Sequence, residues 1–193
     1  MRGVLAAAGL ALIPSMGFAA TESPGADPRP NSYLQAGVMM GAAAPVAAPN
    51  LMAALEGGWR WGAGPAWLHA AATWCATGDD QGPGGNLQLR AGLEGRSCWW
   101  RDVACGVGGL DAGYQKGHWS DRGDPTRNES SHGPVLIPRV GLDVGGRHVR
   151  ARAGLELDFG LATIREVNPA TDNKEIRTGV VGAEANLGLA YQW

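Results

Sequence analysis

Two kinds of chemistry can be read from the residue types of this chain. The first is nucleophilic. His118 and Ser120 stand two residues apart in the stretch 115–133, and an imidazole beside a hydroxyl can act as the base that makes its oxygen a nucleophile. Trp119 and Asp121 flank the serine, and Arg122, Gly123 and Asp124 lead into Pro125. Arg-Gly-Asp spells an integrin-binding tripeptide, but three residues recur by chance and Gly-Asp-Pro is ordinary turn chemistry. A solvated loop is the plainer reading of the stretch. No cysteine spacing fits a zinc site, and nothing in the sequence asks for a metal or a cofactor.

The second kind is electrostatic. Glu56, Arg60, Arg90, Glu94, Arg96, Arg139, Asp143, Arg150, Arg152, Glu156, Asp158 and Glu184 form a set of nearly balanced sign. Guanidinium and carboxylate lock together through forked hydrogen bonds, so such a set can fill an interior without leaving a charge unmatched. What places them together is their spacing, because each falls on the polar face of an alternating segment.

Alternation of apolar and polar residues is the mark of a strand with one greasy and one wet face. In 178–193 Val181, Ala183, Ala185, Leu187, Leu189, Tyr191 and Trp193 oppose Gly182, Glu184, Asn186, Gly188, Ala190 and Gln192. In 149–161 the apolar face runs from Val149 through Leu155, Leu157 and Phe159 to Leu161, against Arg150, Arg152, Glu156 and Asp158. Similar strands are expected at 33–42, 51–61, 86–96, 103–114 and 135–144. The stretch 65–76 is less regular, with Leu68 and Trp74 one way and His69, Thr73 and Cys75 the other. The total is eight. Connections at 62–64, 97–102 and 145–147 are tight, and those after the third, fifth and seventh strands are long and polar. Trp59, Trp61, Trp67, Trp99, Trp100, Tyr191, Trp193 and Tyr33 all fall toward the tight-turn side, and Trp74, Tyr114 and Phe159 toward the other.

The first stretch has Arg2, an apolar run from Val4 to Ile13, then Pro14 and small residues. That is the layout of a signal peptide, expected to be cleaved after Ala19. Residues 20–32, rich in Pro, Gly and charge, read as a flexible leader, and 33–193 as the folded domain. A formal net charge of −2 gives no excess that would point to nucleic acid. After the leader no run of 18 or more apolar residues occurs, so only strands remain as a means of crossing a bilayer.

The last segment is longer than the usual soluble strand, matches the ~9 to 11 residues that cross a bilayer on a tilt, and carries Tyr191 and Trp193. In these features the sequence resembles the small bacterial outer-membrane β-barrels, the eight-stranded class of outer-membrane proteins A and X, whose final strand ends in an aromatic. The resemblance implies an all-β, antiparallel up-and-down transmembrane barrel with short periplasmic turns and longer extracellular loops, set in outer-membrane lipid. It also implies recognition of the C-terminal strand by the barrel-assembly machinery, and an extracellular partner for the loops. The competing architecture is a soluble periplasmic eight-stranded ligand-binding barrel, with apolar residues inside and charge outside.

Two tight turns allow a register to be written. Gly146-Arg147 as a two-residue turn sets Asp143 opposite Arg150. Arg101-Asp102 as a turn centre sets Cys98 opposite Cys105, Leu93 opposite Leu110 and Leu89 opposite Tyr114. An exported chain meets an oxidising compartment, so Cys98 and Cys105 either form a disulfide, leaving Cys75 free, or sit reduced as small apolar fillers.

His118 and Ser120 resemble, by residue type alone, the pair used by the outer-membrane lipid A deacylases, which are eight-stranded barrels. That family carries its pair nearer the C-terminus and follows it with Asn, where this chain has Asp121. The function expected is therefore structural or surface-presenting, with a lumen plugged by charge. A lipid-modifying enzyme using His118 and Ser120 is the alternative.

Overall fold

In the computed structural model the described residues are 30–44, 50–61, 64–79, 82–120, 128–167 and 174–193. They form eight strands: β1 (Ser32–Ala44), β2 (Asn50–Arg60), β3 (Ala66–Asp79), β4 (Gly82–Trp99), β5 (Ala104–Ser120), β6 (Asn128–Gly145), β7 (Val149–Val167) and β8 (Lys174–Gln192). Each pairs antiparallel with the next, and β1 pairs with β8, so the sheet is a closed barrel. The expected signal peptide, 1–19, lies outside the described residues. Asn31 and Ser32, within the segment read as a leader, instead donate their backbone N–H groups to Trp193 O at 2.9 and 3.2 Å.

Ladder register fixes the barrel's proportions. One row of opposed residues runs Val38, Ala53, Trp74, Leu87, Lys116, His132, Thr163, Arg177. Val38 also faces Leu187 on β8, so one circuit ends 187 − 177 = 10 residues from where it began. That offset, ~33 Å along the strands against ~38 Å around the ring, corresponds to a tilt of about 40°.

Alternation then sorts the side chains. Leu34, Val38, Leu55, Leu93, Leu110, Val140, Leu155, Leu161, Leu187 and Leu189 all stand exposed on the outside, while Gln35, Glu56, Arg90, Asp111, Asp143 and Glu156 are buried within. Apolar side chains inside the ring are fewer: Met39, Met52 and Ala54 cluster on β1 and β2, and Ile137 is fully buried on β6.

The long strands β4 to β8 run further than alternation predicts, into segments that read as loops. Beyond the apolar band both faces carry polar residues, so the two-faced pattern disappears, but ladder pairing between partners such as Lys116 and His132 or Arg165 and Glu175 continues. Ser120, expected in a loop, is therefore the last residue of β5.

The turn between β6 and β7 corrects a register. Gly146 N–H donates to Val149 O at 3.0 Å, so the turn is centred on Arg147 and His148, one residue later than expected. Asp143 consequently faces Arg152, Gly145 faces Arg150, and Arg139 faces Glu156. The shift is by two residues, which changes partners without changing faces.

The turn between β4 and β5 holds Trp100, Arg101 and Asp102 at φ of 53°, 56° and 65°. Left-handed backbone disfavours any side chain, at about 1 to 2 kcal/mol per residue, so three in succession need support. Cys98 and Cys105 are directly opposed and joined by a disulfide. On the far side Arg150 donates to Asp102 O at 2.7 Å and to Val103 O at 3.3 Å. The bridge closes a short loop, for which chain-entropy arguments give about 2 to 3 kcal/mol. Thiol titration of the denatured, unreduced chain should find one of its three cysteines free. Three free thiols would rule the bridge out.

Candidate functional site

The site that the barrel builds is its own lumen. β4 places Arg90 and Glu94 on the inner face, two turns of alternation apart, and both reach across rather than along the wall. The Arg90 guanidinium grips Glu156 on β7, with Nη2 donating to Oε1 at 3.1 Å, and approaches Glu56 Oε1 at 3.4 Å. Asn186 Nδ2 on β8 donates to the same Glu156 Oε1 at 2.6 Å. Glu156 is thus held by donors from two strands besides its own.

Glu94 collects more donors than any other carboxylate in the described lumen. Arg96 Nε donates to it at 2.5 Å, Arg139 Nη2 at 2.7 Å, Arg152 Nη1 at 3.3 Å, and the Tyr33 hydroxyl at 3.2 Å. Asp143 takes a forked pair from Arg152, Nε at 2.6 Å and Nη2 at 3.0 Å. Two parallel charge-assisted bonds fix the orientation of both groups.

His69 on β3 lies between two acids. Its Nε2 is 3.2 Å from Glu56 Oε2, and its Nδ1 is 3.1 Å from Asp111 Oδ2. The Asp111 contact has ion-pair distance without hydrogen-bond alignment, for neither Nδ1 nor either Asp111 oxygen has an aligned partner. Arg139 Nε and Arg90 Nε stand 3.4 and 3.6 Å from the same Asp111 Oδ2. Asp111 is held by the field of three cationic or polar neighbours rather than by directed bonds.

Toward the tight-turn end two aromatic rings lie within the lumen. Tyr33 and Trp67 are tilted against each other with centroids 5.6 Å apart, and the Arg96 guanidinium lies 4.3 Å from one ring and 4.2 Å from the other. A cation over two ring faces is attracted by both. A Cβ at Gly58, which pairs with Tyr33, would collide with the tyrosine ring, so the missing side chain makes the space in which that ring lies.

Several expectations need correction. Tyr33 and Trp67, expected among the interface aromatics, both have inward parity and are 2% and 6% exposed. Trp59, Trp61, Trp99, Trp100, Tyr191 and Trp193 do face outward at that end, and Tyr191 stacks between His148 and Trp193 at 6.1 and 6.2 Å. Arg60, expected in the interior network, turns its Nε to Gly64 O at 3.1 Å in the β2–β3 turn, because it sits at the last residue of β2. Arg150 pairs not with the Asp143 carboxylate but with the carbonyls of the β4–β5 turn and with Cys105 Sγ at 3.1 Å. Glu184, on β8, lies beside Asp158 on β7, with Arg90 acting on both.

Asp111 and His69 join the network without a sequence signal that pairs them. Asp111 lies between Leu110 and Ala112 on β5, and parity alone would have found it; His69 is inside by parity, but nothing local names its partners. His118 is exposed on the outer face of β5, opposite Ser130 on β6. Ser120 has the same parity, and its side chain lies outside the described set. Among the described residues no group of His, Cys, Asp and Glu could hold a metal ion.

The chain matches no protein-family model and no curated protein sequence. Its fold matches solved outer-membrane barrels. Neisserial surface protein A aligns over 84% of this chain and 97% of its own, with a TM-score of 0.59 and 13% identity. Ail, the attachment invasion locus protein of Yersinia pestis, aligns over 86% of this chain and 100% of its own, with a TM-score of 0.52 and 14% identity. A major outer membrane protein from Thermus thermophilus aligns over 84% and 99%, with a TM-score of 0.50 and 11% identity.

Breaking the forked pair tests the network. Removing one member of a buried ion pair typically costs about 3 to 5 kcal/mol, because the other charge is left uncompensated. Asp143→Ala should fall in that range by urea unfolding in a lipid or detergent host. Asp143→Ala combined with Arg152→Met should recover part of the loss, since Glu94 keeps Arg96 and Arg139. A double variant no better than the single would show that Arg152 is not the group left stranded.

Proposed function

We propose that this chain is an outer-membrane barrel with a structural or surface-presenting role, whose lumen is plugged by charged side chains and does not serve as a diffusion pore. The observation that carries the reading is the inversion of the two faces. Leucines, valines and tryptophans stand exposed around the wall while arginines and carboxylates are buried inside it. A soluble ligand-binding barrel needs the opposite arrangement, an apolar cup inside a polar surface. In lipid a closed ladder satisfies every wall N–H and C=O internally, and an apolar exterior is then the stable one.

On β7 the outward apolar run from Val149 to Leu161 rises about 30 Å at ~3.3 Å per residue and ~40° of tilt, enough for the ~25 Å apolar band of such barrels. The outward Tyr191 and Trp193 mark the lower interface, where the barrel-assembly machinery would read the last strand. The hairpin ends beyond Leu161 are where an extracellular partner would bind. Two fold neighbours are a neisserial surface protein and an attachment invasion locus protein, and they support a presenting role.

Plugging follows from volume and pairing. Eight strands leave an interior that side chains fill, and here Arg90, Arg139 and Arg152 cross it to acids on other strands. A second reading is favoured by one observation: His118 stands on the outer wall rather than in a loop, where an acyl chain or headgroup could meet it. A serine-directed fluorophosphonate should label wild-type protein and not Ser120→Ala if that pair is a hydrolase, and should label neither if it is not.

The full chain should fractionate with outer membranes and migrate differently on SDS gels before and after boiling, since a closed ladder has no edge from which to unravel. In planar bilayers it should give little or no steady conductance. Recovery as a soluble periplasmic monomer would overturn the membrane reading, and large stable channels would overturn the plug.

A further inference from the structure

Above the apolar band the described outer wall belongs to β5 to β8. On β1 to β4 the last outward side chains described are Met40, Leu51, Trp74 and Leu87, all exposed and apolar. On β5 to β8 the ladder continues into a row of Lys116, His132, Thr163 and Arg177, each directly opposite the next. A second row above it carries His118, Ser130, Arg165 and Glu175. Across the two rows Glu175 is the one acid among the described residues, against Lys116, Arg165, Arg177 and two histidines. The same stretch of wall has apolar groups immediately beneath: Tyr114, Pro134 and Leu161.

Strand tilt makes these rows climb. Each step to the next strand rises ~3 Å, from a ~4.8 Å spacing and a ~40° tilt. Lys116 to Arg177 therefore spans about 10 Å of height, beginning near the level where the apolar wall ends. A bilayer's polar headgroup layer occupies roughly 5 to 8 Å on each side of the hydrocarbon. The ramp of cations runs through that layer. Between Tyr114, His132, Leu161 and Arg177 the wall is recessed into a hollow of about 380 Å³, with Gly133 and Gly179 in its lining. The Tyr114 and His132 rings lie 6.4 Å apart along its edge.

We infer that this face of β5 to β8 is a docking surface for a phosphorylated lipid of the leaflet around it, with the headgroup phosphate on Lys116, His132 and Arg177 and an acyl chain against Tyr114, Pro134 and Leu161. The inference rests on the membrane reading above and adds a position and a chemistry to it. Charge complementarity selects an anionic headgroup. Continuity with the apolar wall selects a lipid over a soluble anion, because His132 and Arg177 share the hollow with Tyr114, Pro134 and Leu161.

The test uses the full chain refolded into phosphatidylcholine vesicles doped with phosphatidic acid, followed by flotation and native mass spectrometry of the lipids retained on release. Wild-type protein should retain phosphatidic acid over phosphatidylcholine by roughly five-fold per cation engaged. The triple variant Lys116→Gln, His132→Gln, Arg177→Gln should fall to the bulk lipid ratio. Arg101→Gln, a cation at the opposite end, should keep the wild-type preference, and the boiling-dependent gel shift should confirm that each variant is folded. Inorganic phosphate should displace no more lipid than chloride of equal ionic strength; stronger displacement would assign the cations to a soluble anion and overturn the lipid. Protein that fails to float would overturn the membrane reading itself. Protein that floats but retains lipids at the bulk ratio, or whose preference survives the triple substitution, would overturn this inference alone.

Discussion

The pairing of β1 with β8 is the constraint from which the rest of the structure follows. Once the ladder closes, no strand presents a free edge, and every residue of the wall is committed to one of two faces. The ten-residue offset around the ring then sets the tilt, and with it the width of the lumen. That width is small enough for an arginine on β4 to reach a glutamate on β7, and for a tyrosine on β1 to reach a glutamate on β4. A wider ring would put these groups out of contact and would need water in their place.

Buried ion pairs are weak evidence for stability, because desolvation offsets much of the Coulomb gain and well-packed apolar residues often do as well. What this network offers is definition. Glu94 has donors from four residues, and Arg152 touches Asp143, Glu94 and the Tyr33 ring together, so few alternative arrangements satisfy all of them. Arg150 serves differently. Its guanidinium spends its hydrogen bonds on carbonyls of a turn whose three left-handed residues would not hold that shape unaided.

Strand number, faces and the inward set were legible because period-two alternation is strong wherever one face is greasy and the other wet. The β4–β5 register was legible for a related reason: its tight turn has one centre that aligns leucine with leucine and cysteine with cysteine. Partners across the lumen were not, since Arg90 and Glu156 are 66 residues apart and meet only through curvature that no local pattern encodes. The Asp143 partner was missed because a turn centred one residue further along the chain keeps all faces while exchanging every neighbour. Tyr33 and Trp67 were misplaced by residue type, aromatics being expected at interfaces, when parity already pointed them inward. His118 and Ser120 looked like loop residues because both faces of β5 are polar at that height.

The lumen's wiring also bears on how the barrel could come together. β4 is a hub whose charged groups are answered from β1, β2, β6 and β7, while other pairs, such as Glu56 with His69, Asp143 with Arg152 and Glu156 with Asn186, join adjacent strands. An open sheet on the way to closure would satisfy its backbone hairpin by hairpin yet leave the β4 charges only partly answered, by Arg96 beside Glu94 and by Asp111 on β5. Their cross-lumen partners would have to stay hydrated until the first and last strands meet. With the lumen plugged as proposed, seam formation and expulsion of lumen water would be a single cooperative event, and in the reverse direction a strand would leave only after water had re-entered. The resistance of the closed form to unravelling would be a kinetic property of that dehydration step as much as a sum of its contacts.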